Sequence, residues 1–182
     1  CIIEIFNMRF CFKIFIFSYS FSLLFISCNQ KAESPRVFEG YHHYLDEIII
    51  SKKGAFRGID LNNNSAFIKK TEKVAPIESS QEHLYFEYAL DSAMNYSIQY
   101  SLRNDSLEEI SLQINSNDLE LVSYLFCDLK DFYANKLPNP IEDKGHVVYN
   151  GNEGSAKPYN ISLSDNSSTS KGVINMVIYR DK

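Results

Sequence analysis

The 182-residue sequence contains no tryptophan, only seven glycines and five prolines, and no excess of basic residues. This composition, with 45% hydrophobic and 23% charged residues, excludes a collagen-like repeat, a low-complexity linker and a disordered chain. The net charge of −5 does not provide the basic surface that a phosphate backbone requires, so we expect no nucleic-acid partner. The length predicts one domain, or one domain with a targeting segment.

The sequence also lacks the motifs of common active sites. It has no His-Glu-x-x-His, no Cys-x-x-Cys, no Gly-x-Ser-x-Gly and no glycine-rich phosphate loop. We expect the adjacent His42 and His43 to point in different directions, and Glu108 and Glu109 to face opposite sides of a strand. Neither pair then forms a metal face or a carboxylate pair.

One further loop has the oxygen-bearing residues of a metal site. Asp60, Asn62 and Asn64 follow the odd-position spacing of calcium ligands, but the mid-loop glycine and the terminal glutamate are missing. If the fold brings distant polar residues together in one site, His42, His83 and Asp60 are the set to examine first. We nevertheless predict no catalytic residue, no metal, no cofactor and no enzyme activity, because no acid, base and nucleophile are aligned by any motif.

The first 27 residues have the features of a signal peptide, with Met8 as the expected start. Arg9 and Lys13 precede the uncharged apolar stretch Ile14–Ile26, which would span only roughly 20 Å as a helix. This is shorter than the ~30 Å hydrocarbon core of a bilayer. If residues 1–7 are translated, the stretch lengthens and a membrane anchor becomes the alternative.

The segment ends in Leu24-Phe25-Ile26-Ser27-Cys28. This motif resembles the lipobox of bacterial lipoproteins, although Phe25 stands where the family has an aliphatic residue. The resemblance implies that signal peptidase II cleaves between Ser27 and Cys28, and that Cys28 carries diacylglycerol and an amide-linked acyl chain such as palmitate. Two or three acyl chains anchor a protein stably. We therefore expect a lipid-anchored protein of the bacterial outer membrane that faces the periplasm. The alternative is a secretory signal with an incidental Cys28.

The remaining chain divides into a polar lipidated tether at 28–37 and one globular domain at 38–182. Because Cys1 and Cys11 precede the cleavage site and Cys28 would be lipidated, only Cys127 is left, and no internal disulfide can form. Its apolar neighbours predict that Cys127 is a small core residue.

Alternating apolar residues predict an antiparallel sheet with one buried face. The expected strands form two groups of three: 83–91, 96–103 and 107–115, then 146–149, 159–164 and 172–180.

Helical spacing of apolar residues indicates two helices that precede these groups. One is a short helix at 66–73 capped by Ser65, and the other follows a capping box that Asn117 and Glu120 would form, with Val122, Leu125, Leu129, Phe132 and Tyr133 on its apolar side. The segment 38–50 suits a helix or a strand equally well. The fold class is therefore α+β, with helices on an antiparallel sheet in two layers. The repeated order is consistent with a duplicated α-β-β-β unit.

The segment Phe56-Arg57-Gly58-Ile59-Asp60-Leu61, followed by a short helix, Glu72 and a strand meander, resembles small periplasmic lipoprotein domains of the outer-membrane-assembly and inhibitor-like type. Asn62–Asn64 stands where that family has a Gly-Met-Ser-like turn. The resemblance implies a non-catalytic domain that binds other proteins.

Three functions are compatible with these patterns. The first is a lipid-anchored envelope protein that binds a protein or another envelope component, for which the 12 tyrosines and 13 phenylalanines provide contact groups. The second is an immunity-type lipoprotein whose acidic domain neutralises a basic periplasmic toxin. The third is an envelope hydrolase with an unidentified site.

Overall fold

The computed structural model describes residues 38–137, 139–151 and 159–180. The predicted signal peptide, the lipidation site Cys28 and the tether to residue 37 lie outside the described residues. Within the described ranges, no helix has the length and hydropathy needed to cross a membrane.

Eight strands form one antiparallel sheet in the order β1-β2-β3-β4-β8-β7-β6-β5. Four strands run in sequence on each side, and the last strand of each group, β4 or β8, pairs with the other at the centre. The strands are β1 (Glu78–Ser79), β2 (His83–Ala89), β3 (Met94–Arg103), β4 (Ser106–Ser116), β5 (Ile141–Asp143), β6 (His146–Tyr149), β7 (Asn160–Asp165) and β8 (Gly172–Tyr179).

The antiparallel sheet of an α+β fold is thus confirmed, and all six predicted strands are present. The two outermost strands, β1 and β5, were not predicted from the sequence. They have only two and three residues, all exposed, and therefore carry no alternating pattern. Short, charged edge strands such as these protect a sheet from pairing with another chain.

The first helix, α1 (His43–Ile49), settles the open choice between helix and strand at 38–50. His42 caps it, because its Nδ1 accepts a hydrogen bond from the Tyr44 amide at 3.3 Å. The helix ends at Ile50, which has a left-handed φ of 48°. It buries Leu45, Ile48 and Ile49. Of the three consecutive isoleucines, Ile48 and Ile49 therefore end the helix and Ile50 is its C-cap.

The second helix, α2 (Ser65–Glu72), begins one residue earlier than predicted. Its N-cap is Asn64, whose Oδ1 accepts from the Phe67 amide at 2.9 Å, and the predicted cap Ser65 is its first residue.

The third helix, α3 (Leu119–Ala134), is capped by Asp118, whose Oδ1 accepts from the Leu121 amide at 3.0 Å. The capping box predicted for Asn117 and Glu120 is therefore wrong by one position, since Asp118, the residue directly before the helix, is the N-cap. Glu120 instead accepts from the Tyr124 hydroxyl at 3.1 Å.

The apolar side of α3 packs against β4, β6 and β8. Its five buried residues are those that the helical spacing predicted: Val122, Leu125, Leu129, Phe132 and Tyr133. The prediction of a core Cys127 is wrong, because Cys127 is exposed. At 3.6 residues per turn, Cys127 lies about 200° around the helix from Leu125, on the opposite side.

The strands alternate between an inner face, which joins the helices in one apolar core, and an outer face. On β3, for example, Met94, Tyr96, Ile98, Tyr100 and Leu102 are buried while the residues between them are exposed or half-buried. We use "outer face" below for the second set of side chains on β2, β3, β4, β6, β7 and β8.

Candidate functional site

The three residues that the sequence singled out as a possible common site lie in separate elements. His42 caps α1, His83 begins β2, and Asp60 is exposed in the loop before α2. Among the described residues, no three His, Cys, Asp or Glu side chains are grouped closely enough to hold a metal ion.

The expectation that His42 and His43 point apart is wrong. Their ring centroids lie 4.3 Å apart, and both rings contact Tyr44. The reason is the cap itself, because His42 has an extended backbone (ψ 142°) outside the helix, so the usual angle of about 100° between successive helical side chains does not apply.

The three consecutive asparagines at 62–64 have roles in the backbone conformation of the loop. Asn62 has a left-handed φ of 77°, Asn63 Oδ1 accepts from the Asp60 amide at 2.7 Å, and Asn64 caps α2. Asparagine is favoured in each of these positions for conformational reasons. This accounts for the calcium-like spacing without a ligand.

The turn between β1 and β2 brings a serine, a histidine and a glutamate together. Ser80 Oγ lies 3.0 Å from His83 Nδ1, and His83 Nε2 lies 3.4 Å from Glu78 Oε2. Ser80 Oγ also accepts hydrogen bonds from the backbone amides of Glu82 and His83, both at 3.0 Å. A nucleophile needs a lone pair free to attack, whereas these amides occupy the oxygen. The arrangement locks a turn.

The one ion pair with both side chains buried joins Arg57 to Glu72 within the described chain. Arg57 Nη2 lies 2.9 Å from Glu72 Oε2, and Arg57 Nε lies 3.1 Å from both carboxylate oxygens. The Glu72 side chain is 0% exposed and also accepts from the hydroxyls of Tyr88 (2.6 Å) and Tyr100. Arg57 and Glu72 both belong to the segment that resembles small periplasmic lipoprotein domains, but the sequence does not predict that they pair.

Arg57 also closes the end of α1. Its Nη1 donates to the carbonyl oxygens of Glu47 at 2.7 Å and Ile48 at 2.8 Å, two of the last carbonyls of that helix. The guanidinium lies 5.1 Å from the Tyr88 ring centroid, and the Tyr88 and Tyr96 rings stack 4.7 Å apart. Every oxygen of the carboxylate is occupied, so the cluster stabilises the fold and leaves no group for a substrate.

The protonation states follow from this environment. Burial lowers the pKa of Arg57, but the charge and hydrogen bonds of Glu72 more than offset burial, and the pKa is raised. Burial, followed by the charge of Glu72 and a hydrogen bond to it, raises the pKa of Tyr100 well above its usual value. Arg57 is therefore charged and Tyr100 neutral across the physiological range.

The expectation that Glu108 and Glu109 face opposite sides is also wrong. Ser101 pairs with Glu109, whereas Leu102 pairs with Leu107, so Glu108 is an extra residue with no partner on β3. This β-bulge interrupts the alternation, and a bulge commonly redirects a side chain in this way.

Both glutamates line a cleft of about 560 Å³ at this end of the sheet, which we call the bulge cleft. Three of its residues, Ser101, Glu109 and Tyr179, form one row of paired neighbours across the outer faces of β3, β4 and β8. Its polar lining residues are Asn62, Ser101, Glu108, Glu109, Tyr179 and Arg180. A second cleft of about 730 Å³ on the other side of Glu108 lies among the exposed turns that contain Ser80 and Asp105.

The outer face continues from the bulge cleft as an uncharged polar surface. The charged side chains of the central strands β3, β4 and β8, Arg103, Glu108 and Glu109, lie together at the bulge, and the other eleven side chains of their outer face are uncharged, although 23% of the chain is charged. Neighbouring amides bond to each other, with Gln113 and Asn175 at 3.1 Å and Asn115 and Asn95 at 3.4 Å. The eleven uncharged residues are Asn95, Ser97, Gln99, Ser101, Ser111, Gln113, Asn115, Val173, Asn175, Val177 and Tyr179.

The sequence indicates a polar, solvent-facing side for each of these strands separately, but it does not give the register that joins those sides into one surface. The polar positions of the separate strands, once aligned by register, would have indicated it. Comparison of the chain with protein-family models, curated proteins and solved structures finds no match. The geometry of the bulge cleft and the outer face therefore carries the functional argument.

We predict that Glu72→Gln lowers the free energy of unfolding by about 3–5 kcal/mol, because it leaves the Arg57 charge buried without its partner. The matched control is Glu108→Gln, which breaks the exposed pair with Arg103 (3.0 Å) and costs less than about 1 kcal/mol. Urea unfolding followed by circular dichroism measures both variants. A Glu72→Gln cost no larger than that of the control would contradict a stabilising role.

A second stability prediction concerns Tyr159, whose buried hydroxyl has no hydrogen-bond partner in the described part of the chain. Tyr159→Phe should raise the free energy of unfolding by about 1 kcal/mol, because no bond is lost. Tyr149→Phe is the control and should lower it by about 1 kcal/mol, since Tyr149 donates to the Lys130 carbonyl at 2.7 Å. Equal losses in the two variants would contradict the assignment.

The same residue contributes to the dependence of stability on pH. Burial and the nearby charge of Asp60 raise the pKa of Tyr159 from 10.0 to about 12. Ionisation of Tyr159 is therefore less favourable in the folded state than in the unfolded state, so the free energy of unfolding is unaffected below pH 10 and decreases as the pH rises from 10 to about 12. Tyr159→Phe should make the alkaline loss of stability shallower over this interval.

Proposed function

We propose that this chain is a lipid-anchored protein of the bacterial outer membrane whose periplasmic domain binds an envelope component through the outer face. The observation that carries the proposal is the uncharged polar surface across β3, β4 and β8, which ends in the bulge cleft. Such a sheet offers a broad set of donors and acceptors at fixed strand spacings. The anchor rests on the lipobox-like motif that ends in Cys28.

The chemistry of the polar clusters favours binding over catalysis. The buried carboxylate of Glu72 is saturated by Arg57 and tyrosine hydroxyls, and the oxygen of Ser80 accepts two backbone amides. In the bulge cleft, Glu108 pairs with Arg103 and Glu109 accepts from the Ser111 hydroxyl at 3.2 Å. These contacts give each group a structural partner, and they support a domain without an enzyme activity or a cofactor.

We also propose that the fold is a duplication in two layers. Each half has a helix followed by a strand meander, α2 with β1–β4 and α3 with β5–β8, and the final strands pair antiparallel at the centre. A two-fold relation between halves produces this pairing. The proposed unit is one strand longer than the α-β-β-β unit expected from the sequence, because it includes the short edge strands.

The immunity-type alternative has less support from the geometry. A basic toxin would require an acidic surface to speed its encounter with this protein. The outer face of β3, β4 and β8 is instead uncharged away from the bulge cleft. The net charge of −5 alone favours this alternative.

The lipid anchor is tested by Cys28→Ala. We expect the variant to lose palmitate labelling and to be released from membranes by carbonate washing, because no acylated thiol remains. Cys127→Ala is the matched control, since Cys127 is an exposed cysteine on α3 and should leave labelling unchanged. An unlabelled wild type, or a Cys28→Ala variant that stays in the membrane, would refute the anchor.

The binding surface is tested by photo-cross-linking in cells that make the full chain. A benzoylphenylalanine in place of Gln113, at the centre of the outer face, should form adducts with a ligand. The same group in place of Tyr124, which is 58% exposed on α3, should form few. Absence of adducts at Gln113, or identical adducts at both positions, would contradict the outer face as the binding surface.

A further inference from the structure

We propose that the ligand of the outer face is a neutral polyhydroxylated chain, that is, an uncharged glycan, with one end in the bulge cleft. This inference rests on the proposed function, because it names the ligand class of the same surface. Its observations are the chemistry of the outer face, the contents of the bulge cleft and the placement of two tyrosines.

The first observation is the match between the surface and a hydroxyl-rich ligand. Serine hydroxyls and asparagine or glutamine amides both donate and accept hydrogen bonds, as sugar hydroxyls do. Three serines on the adjacent strands β3 and β4 pair with polar side chains across the sheet, Ser97 with Gln113, Ser101 with Glu109 and Ser111 with Gln99. A neutral ligand loses no charge–solvent interaction on such a surface, whereas an ionic ligand would be desolvated without a counter-charge.

The second observation is the composition of the bulge cleft. Its carboxylates at Glu108 and Glu109 can accept from paired hydroxyls, and Arg180 and Asn62 can donate. The β-bulge is what places both glutamates in this cleft, since regular pairing would have directed one of them away. The sheet therefore offers one recessed end at which a chain of sugars can be held.

The third observation is the placement of Tyr85 and Tyr179 on the outer face. Tyr85 is on β2 and Tyr179 is on β8, so three strand spacings separate them, or about 14 Å. The Tyr85 hydroxyl donates to Glu87, two residues along the same strand, at 2.7 Å. An aromatic face is electron-rich and attracts polarised C–H groups such as those of a sugar ring.

A protein partner fits this surface less well. The cores of protein interfaces are enriched in aromatic residues, methionine and arginine, and depleted in serine. The central strands instead present serines and amides, with Val173 and Val177 as their only aliphatic side chains on the outer face. An anionic polymer is disfavoured too, because β3, β4 and β8 carry two negative charges, Glu108 and Glu109, against one positive charge, Arg103.

The test is affinity electrophoresis of the full chain in detergent through gels that contain one soluble polysaccharide each. The probes are dextran, mannan and a soluble β-glucan as neutral chains, with alginate and heparin as anionic comparators. We expect retardation by at least one neutral polysaccharide that persists in high salt. Tyr179→Ala and Tyr85→Ala should each weaken binding by about tenfold, whereas the exposed helix residue change Tyr124→Ala should leave it unchanged.

The remaining outcomes overturn the proposal. They are retardation by none of the neutral probes, a preference for the anionic probes that salt abolishes, and an equal effect of Tyr124→Ala. Circular dichroism of each variant confirms that a loss of binding does not reflect unfolding, and Tyr179→Phe, which keeps the ring, should retain binding. If the Gln113 cross-linker captures a protein while no glycan binds, the binding module stands and the glycan is refuted. If both fail, the outer face is not a binding surface.

Discussion

The ion pair between Arg57 and Glu72 is the interaction on which the N-terminal half of the fold depends. It joins the loop after α1 to the last residue of α2, and the hydroxyls of Tyr88 and Tyr100 extend it to β2 and β3. α1 and α2, with seven and eight residues, are too short to be stable alone, because helices of that length are marginal in water. Their positions are therefore set by tertiary contacts, and the carboxylate of Glu72 is where four elements meet.

This network constrains the backbone as well as the side chains. Arg57 reaches the carbonyls at the end of α1 from a left-handed conformation with φ 54°, and the preceding tight loop leaves no room for a side chain at Gly54. A Cβ there would lie 2.8 Å from the Gly58 backbone, and φ is also positive. The cost of these conformations is offset by a guanidinium whose donors are satisfied by a carboxylate and two carbonyls. The conformation of this loop therefore serves to position the guanidinium of Arg57 in the ion pair.

The sequence was sufficient for the parts of the fold that depend on local periodicity. Alternation located six strands, and the helical spacing identified the five buried residues of α3. The predictions that were wrong or missing concern features that local periodicity does not determine. The buried partner of Arg57 is 15 residues distant, the capping residues shifted by one position, and Cys127 was judged by its neighbours in sequence instead of its angle around the helix.

The candidate site was harder to predict because it arises from register. Glu108 and Glu109 would have faced apart on a regular strand, and only the shift of pairing between Ser101 and Leu102 brings both to the bulge cleft. Similarly, each strand contributes only a few serines and amides, and these form a continuous polar surface only because the register aligns them across β3, β4 and β8. The two halves of the chain meet at the β4–β8 pair, so the central part of the outer face is shared between them. A surface built at this junction can form only when both halves are folded and paired, which couples binding to the integrity of the whole sheet.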